Sequence, residues 1–410
     1  MDAFEFLTEP AAARLRASAF APFVQPFWDR LSEQRYAPGT ARQYMNCVAH
    51  FAHWSRRRRF ALQSLNQHVV AFIDEHLPRC TCAAPVQRSR NQVRAALQHL
   101  KAVVCASGVQ QDDRPGNPVD EQLLRFDDHL LHAKGLAGST RLRRLAIVRA
   151  LLSMTSNSTT PSAEELRQFL AQELSRVSAA SGGVTATAVR SYLGFRAFEG
   201  DRVEHLLPVV AAPAHWRLAP LPQTLAPDEV NRLLAAFPAD LPSRLRCYAL
   251  VRCVVDLGLR SSEAIALELD DIDWVAGTVR IVGSKSRRAD VLPLPQLTGA
   301  AIADYVRSER RPQTTSRRVF VRHVAPVDEP VAADVVRRAV RQAYRRAGLP
   351  YTRVHILRHT LASRLLNTGG TLKEVADVLR HRELDTSLIY AKVDFGRLLA
   401  VAMPWPGSRP

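Results

Sequence analysis

The chain has 410 residues, 47% of them hydrophobic, enough for the cores of two or three domains. No stretch approaches the run of about 18 apolar residues that a membrane helix needs, and the opening MDAFEFLTEP lacks a basic-then-apolar signal pattern, so a cytoplasmic protein with no membrane partner is expected. With 56 Lys+Arg against 39 Asp+Glu the formal charge is +17; a surplus of this size concentrates polyanions, and arginine's planar fork suits phosphate, so nucleic acid is the leading partner.

After an N-terminal tail (1–18), the first half reads as helices with polar connectors, arranged as a diverged duplication. FVQPFWDRLSEQRYAPGTARQYMNCVAHFAHW and EQLLRFDDHLLHAKGLAGSTRLRRLAIVRALL share one pattern: an apolar helix, a turn, a small residue plus threonine, then a basic amphipathic helix. Thr40 corresponds to Thr140. Each copy continues with an acidic-apolar helix (HVVAFIDEHL, AEELRQFLAQEL) and a helix containing Val-Arg (RNQVRAALQHLKAVV, TATAVRSYLGFRAF). Two small helical domains are therefore expected, over 19–115 and 116–208. Basic residues recur on the second helix of each copy: Arg42 with the run from Arg56 and Arg57, then Arg141, Arg143 and Arg144. Together they suggest phosphate-contacting faces, although any one of them is more simply a solvated helix residue.

The cysteines at 47, 80, 82, 105, 247 and 253 do not form a disulfide framework, and reduced thiols are expected. HLPRCTC brings His76, Cys80 and Cys82 close in sequence, and Cys105 could complete a zinc set. Against this, Cys-x-Cys is a poor chelate spacing and Pro78 interrupts the segment, so incidental cysteines and no metal are the default.

A proline-rich linker (209–223) precedes a second compositional regime. APDEVNRLLAAF opens with Pro227, Asp228 and Glu229, suited to a helix N-terminus. RLRCYALVRCVVDLGL is an apolar helix stopping near Gly258, and GTVRIVGSKSRRADVLPLP alternates as a hairpin. Helices return from AADVVRRAVRQAYRRAGLP to YAKVD. Residues 224–394 thus read as a mixed domain, mostly helical with a small antiparallel sheet, ahead of a C-terminal tail (395–410).

Four segments of this domain carry functional side chains. Arg260 sits where Ser261 or Ser262 can start a helix, a positive field that recruits phosphate, unless it is a surface arginine paired with Glu263. Lys285 lies at the hairpin tip with Arg287 and Arg288, placed for solubility or for reaching into a groove. In HILRHT, His355 and Arg358 share a helix face, with His359 one position on. A zinc site of His-Glu-x-x-His type needs glutamate where Ile356 stands, and Arg358 would repel a metal, so a phosphate site is the better reading and His359 is left to packing or support. In TGGTLKEVADVLRHRELDTSLIYAKVD, Gly369 and Gly370 end a helix, Thr371 with Glu374 forms a capping box, and His381 precedes Tyr390 by nine residues.

Arg260, Lys285, His355, Arg358, His381 and Tyr390, in this order and spacing, resemble the signature of the tyrosine recombinase, or phage integrase, family over Thr224 to about Asp394. GLRSSEAIALELDDIDW, RHTLASRLLNTGG and TSLIYAKV resemble the family around those positions, while Arg380 stands where the family commonly has glycine. The resemblance implies two core-binding-like modules where one is usual. It implies attack by Tyr390 on a phosphodiester of double-stranded DNA to give a 3′-phosphotyrosyl intermediate. Arg260 and Arg358 would hold the phosphate, His381 would donate to it, His355 would act as base and Lys285 as acid, with no ATP, metal or other cofactor. It also implies a homotetramer on two DNA sites, with a partner recombinase as an option, and a C-terminal tail that docks on a neighbouring protomer or else on its own domain. A catalytically silent DNA-binding protein of the same fold and a topoisomerase-like relaxing enzyme are the rival readings.

Overall fold

The structure, a computed structural model, describes residues 2–58, 60–110, 118–155, 160–214, 221–282, 289–381 and 384–392. The chain divides into two compact units, Met1–Glu33 with Pro38–Trp216, and Arg217–Pro410 with Gln34–Ala37.

The first unit is helical, and its helices fall in two successive modules along the chain. The first comprises α1 (Glu9–Arg16), α2 (Val24–Glu33), α3 (Pro38–Ser55), α4 (Leu65–Ala71) and α5 (Arg90–Ala106); the second comprises α6 (Pro118–His132), α7 (Gly138–Leu152), α8 (Ala163–Arg176) and α9 (Ala179–Phe198). α2–α5 and α6–α9 follow the order of the two repeats in the sequence. Thr40 and Thr140 are each the third residue of their helix. α1 and α5 pack on α3, with Leu15, Met45, Phe51, Val93 and Leu97 essentially dry. In the second module Leu151, Leu166, Val189 and Leu193 form one cluster, and Phe126, Val148 and Tyr192 another.

Two boundaries differ from expectation. Residues 1–18 are not a tail: Thr8 and Pro10 start α1, whose Ala11, Ala12 and Leu15 are buried. The second module also reaches past 208, since Val210 is buried in its core and its carbonyl accepts from Arg190 Nη2 at 2.5 Å.

The second unit is α+β. α10 (Pro227–Ala235), α11 (Arg244–Leu257) and α12 (Ser261–Ala266) lead into β1 (Ile272–Asp273), β2 (Thr278–Val282) and β3 (Ala289–Pro293), followed by α13 (Gln296–Ser308), α14 (Ala333–Arg346), α15 (His355–Asn367), α16 (Leu372–Val378) and α17 (Leu388–Ala391). The sheet is antiparallel in the order β1-β2-β3, with Val282 opposite Ala289. Val279 and Ile281 point into the core while Arg280 and Val282 point out, the period-2 alternation of a one-sided sheet. α14 shows the helical counterpart: Val336, Ala339, Val340, Ala343 and Tyr344 are buried at the spacing of one helix face. α11 contributes Ala249 to Val255 to the same core and packs against α13, α14 and α15. α15, α16 and α17 share a smaller cluster of Leu361, Leu366, Val375, Leu379 and Tyr390.

Candidate active site

Three helix ends converge in the second unit, and local chemistry fixes each. α11 stops at Gly258, which adopts φ +58°. A Cβ there would lie 2.8 Å from Leu379 Cδ2 and 2.9 Å from Leu361 Cδ2, so both conformation and space require glycine. Two residues later Arg260 occupies the N-cap of α12. α16 begins with the expected capping box, Thr371 Oγ1 accepting from the Glu374 N–H at 3.2 Å and Glu374 Oε2 accepting from the Thr371 N–H at 2.6 Å. It ends near Arg380, which adopts φ +55°.

That left-handed conformation explains why glycine suits position 380 in the resembled family, and the arginine side chain explains why glycine is dispensable here. Arg380 is 5% exposed at its side chain. It donates to the Val378 carbonyl at 2.7 Å and to Glu263 Oε2 at 2.9 Å. Glu263, 4% exposed, also accepts from the Arg260 backbone N–H at 2.8 Å and from Arg260 Nη1 at 2.6 Å. Burial alone would raise its carboxyl pKa, but Arg380 and the Arg260 N–H and guanidinium hold it below the usual range. Arg260 is therefore both paired with Glu263 and partly open, its side chain 37% exposed.

Arg358, on the first turn of α15, is buried. Its Nη1 donates to the Gly258 carbonyl and its Nη2 to the Leu379 carbonyl, so one guanidinium joins the ends of α11 and α16. Burial, with Arg260 and Arg380 nearby, lowers its pKa to about 9, still cationic at neutral pH. Three guanidiniums against one carboxylate leave a positive surplus suited to a phosphate.

The histidines are arranged differently from the sequence expectation. Tyr390 is 2% exposed, and its hydroxyl lies 2.9 Å from His359 Nδ1. The histidine left to packing or support is thus the one that touches the proposed nucleophile. His381 stacks parallel to Tyr390 with centroids 6.3 Å apart, and its Nδ1 lies 2.6 Å from Ser387 Oγ. Burial, reinforced by His355 and Arg358, pushes His359 down to about 4. Burial with Arg358, Arg260 and Arg380 does the same to His381. Both are therefore neutral at pH 7. Desolvation by the cleft wall, then Arg358 and Arg260, also lower the pKa of His355, which remains exposed. Burial raises Tyr390's pKa despite the opposing pull of Arg358 and Arg260. Arg260, His355, Arg358, His359, His381 and Tyr390 all line one cleft.

Lys285, Arg287, Arg288 and the tail 395–410 lie outside the described residues. Among the module arginines, Arg42, Arg56, Arg57 and Arg143 are exposed. Arg141 and Arg144 depart from the expected phosphate face. Arg141 forks onto Asp127 of α6 at 2.7 and 3.1 Å, and Arg144 donates to Ser191 of α9 at 2.8 Å. A carboxylate on the facing helix takes the first, and a hydroxyl takes the second.

Known proteins resemble the chain in sequence and in fold. The phage integrase family model matches residues 223–397. The chain is 35% identical over 411 residues to the "Putative integrase/recombinase y4rA" of Sinorhizobium fredii, covering 97% of both chains. It is 32% identical to y4rF of the same organism, covering 99% of this chain and 96% of the relative. XerH bound to palindromic difH superposes with a TM-score of 0.55 at 20% identity, covering 85% of this chain and 98% of XerH. A lambda integrase dimer bound to a COC′ core site gives 0.53 at 16%, covering 70% and 98%. The family match and these relatives define a DNA strand-cleaving and rejoining enzyme. The chain belongs to the phage integrase family of tyrosine recombinases.

Proposed function

We propose that the protein is a site-specific recombinase that cuts and rejoins DNA through a 3′-phosphotyrosyl intermediate, serving the integration, excision or transposition of a mobile element. The observation that carries this is Tyr390, hydrogen-bonded to a neutral histidine in the cleft lined by Arg260 and Arg358. Tyr390 Oη attacks phosphorus, the bond to the 5′-oxygen breaks, and the arginines hold the non-bridging oxygens as charge accumulates on them. His359 takes the phenol proton. A histidine with a pKa of about 4 is a weak acceptor, so the transfer completes only as attack adds negative charge opposite Arg358. His355 and His381 donate to the phosphate oxygens, and Lys285 protonates the leaving 5′-oxygen. Rejoining reverses these roles with the 5′-hydroxyl of another strand.

The boundaries in this reading are a helical DNA-grasping module on each side of residues 111–117, a linker near 211–223, and a catalytic domain from 224. The working form is a tetramer on two duplexes, as in the lambda integrase tetramer bound to a Holliday junction. Its setting is the cytoplasm, on the nucleoid. Among the described residues no helix is long and apolar enough to cross a membrane.

A nicked suicide substrate bearing the candidate site tests the mechanism. Wild-type protein should form a DNA adduct that survives a denaturing gel, and Tyr390→Phe should bind the same DNA without forming one. An adduct on the Phe variant would mean that the nucleophile is another residue.

A further inference from the structure

The first module gathers four metal-binding side chains that the proposed reaction does not use. His50 lies on α3, His76 at the end of a π-helical turn (Phe72–His76), and Cys80 and Cys82 follow a 3-10 turn (Leu77–Arg79). Their donor atoms all lie within 4.8 Å of one another. His50 Nε2 is 3.4 Å from His76 Nε2 and 3.4 Å from Cys80 Sγ, and Cys82 Sγ is 3.6 Å from His76 Nε2. A tetrahedral zinc with Zn–N of about 2.1 Å and Zn–S of about 2.3 Å has donor-to-donor edges of roughly 3.3–3.8 Å. We infer that His50, His76, Cys80 and Cys82 form a structural zinc site in the N-terminal module.

Three further observations bear on it. His50 is fully buried and its Nδ1 lies 3.1 Å from the Gln87 carbonyl oxygen. An acceptor there requires Nδ1 to carry the proton, which leaves the Nε2 lone pair facing His76 and Cys80 together, as in metal-bound histidines anchored through their other nitrogen. The irregular loop beyond the cysteines is held from α1: Arg14 donates to the carbonyls of Pro85 at 2.6 Å, Ala83 at 2.9 Å and Ala84 at 3.3 Å. Two thiolates and two neutral imidazoles balance a divalent ion, and the nearby Arg14 cation favours the thiolate form of Cys82. Finally, π-helical turns concentrate at functional sites, and this one delivers His76.

The sequence objections dissolve in this geometry. Cys80 is extended, and an extended chain returns to the same face every second residue. Both thiols therefore reach the same point as the two imidazoles, Cys80 Sγ beside His50 and Cys82 Sγ beside His76. Pro78 lies within the 3-10 turn that reverses the chain. The fourth member is His50, 26 residues before His76, whereas Cys105 is exposed on α5. The zinc would staple α3 to a segment that has little regular structure of its own.

Full-length protein purified under reducing conditions without chelator and reconstituted with zinc should hold about one equivalent per chain by mass spectrometry. Cobalt(II) in its place should give the intense visible bands of a tetrahedral site and a thiolate-to-cobalt charge-transfer band. Cys80→Ser/Cys82→Ser should lose the metal, while Cys105→Ser keeps it. Less than roughly a tenth of an equivalent on the wild type would overturn the assignment, as would full zinc retention by the double variant. An octahedral cobalt spectrum, or a Cys80–Cys82 disulfide in the reduced preparation, would do the same. The cobalt spectrum needs no variant, so a misfolded double mutant does not blunt the test.

Discussion

His359 Nδ1 lies 2.9 Å from the Tyr390 hydroxyl, so replacing it with phenylalanine keeps an aromatic ring in the cleft and removes the proposed proton acceptor. Adduct formation by His359→Phe should slow by about 100-fold, with DNA affinity unchanged in a mobility-shift assay. An unaltered rate would return the base role to His355. The same histidines give the catalytic unit a characteristic acid response. His359, His381 and His323, all half-buried, are held at about 4 against the usual 6.5. On acidification the unfolded chain binds protons first. Their stabilising contribution is complete above about pH 6.5 and is lost as the pH falls toward 4. The denaturation midpoint should therefore drop between pH 7 and pH 5, and the drop should be smaller in His381→Gln.

At the scale of elements, the site is an arrangement of helix ends, and Gly258 is its common point. Its carbonyl accepts from Arg358 and, at 3.3 Å, from Arg380. Gly258→Ala combines a left-handed φ with contacts below 3 Å to Leu379 and Leu361. The substitution should cost about 2 kcal/mol in urea unfolding and slow adduct formation, because Arg260 and Arg358 are both seated on that turn. Much of this level was legible in the sequence. The stop at Gly258, the Thr371–Glu374 capping box, the β2–β3 hairpin and the duplicated helices all follow from local patterns of a few residues. Contacts spanning long stretches of chain were not legible. Glu263 meets Arg380 across 117 positions, and nothing near either residue announces the other. His359 carried no signal beyond its place after Arg358, since packing of α17 on α15 decides which histidine meets the tyrosine. In residues 1–18 the local pattern Thr8-Glu9-Pro10 marks a helix start, which the expectation of a tail leaves out.

For the whole molecule, a charge of +17 overstates what is available to DNA. Arg141 is committed to Asp127 and Arg149 to Asp120, the latter at 2.5 Å, while Arg143 on the same helix is exposed. In a plot of log affinity against log salt, Arg143→Ala should reduce the slope by about 1, and Arg141→Ala should change it by much less. Equal effects would mean that the Asp127 pair opens on binding. Tyr390 has a consequence at this scale as well. Its hydroxyl is sheltered and already engaged by His359 on a helix of only four residues. On the proposed mechanism Tyr390, 2% exposed, reaches a phosphodiester only when α17 shifts, so the packing of α17 sets how readily the nucleophile is presented. Toxicity on overexpression should then track variants that loosen α17, and not the amount of protein.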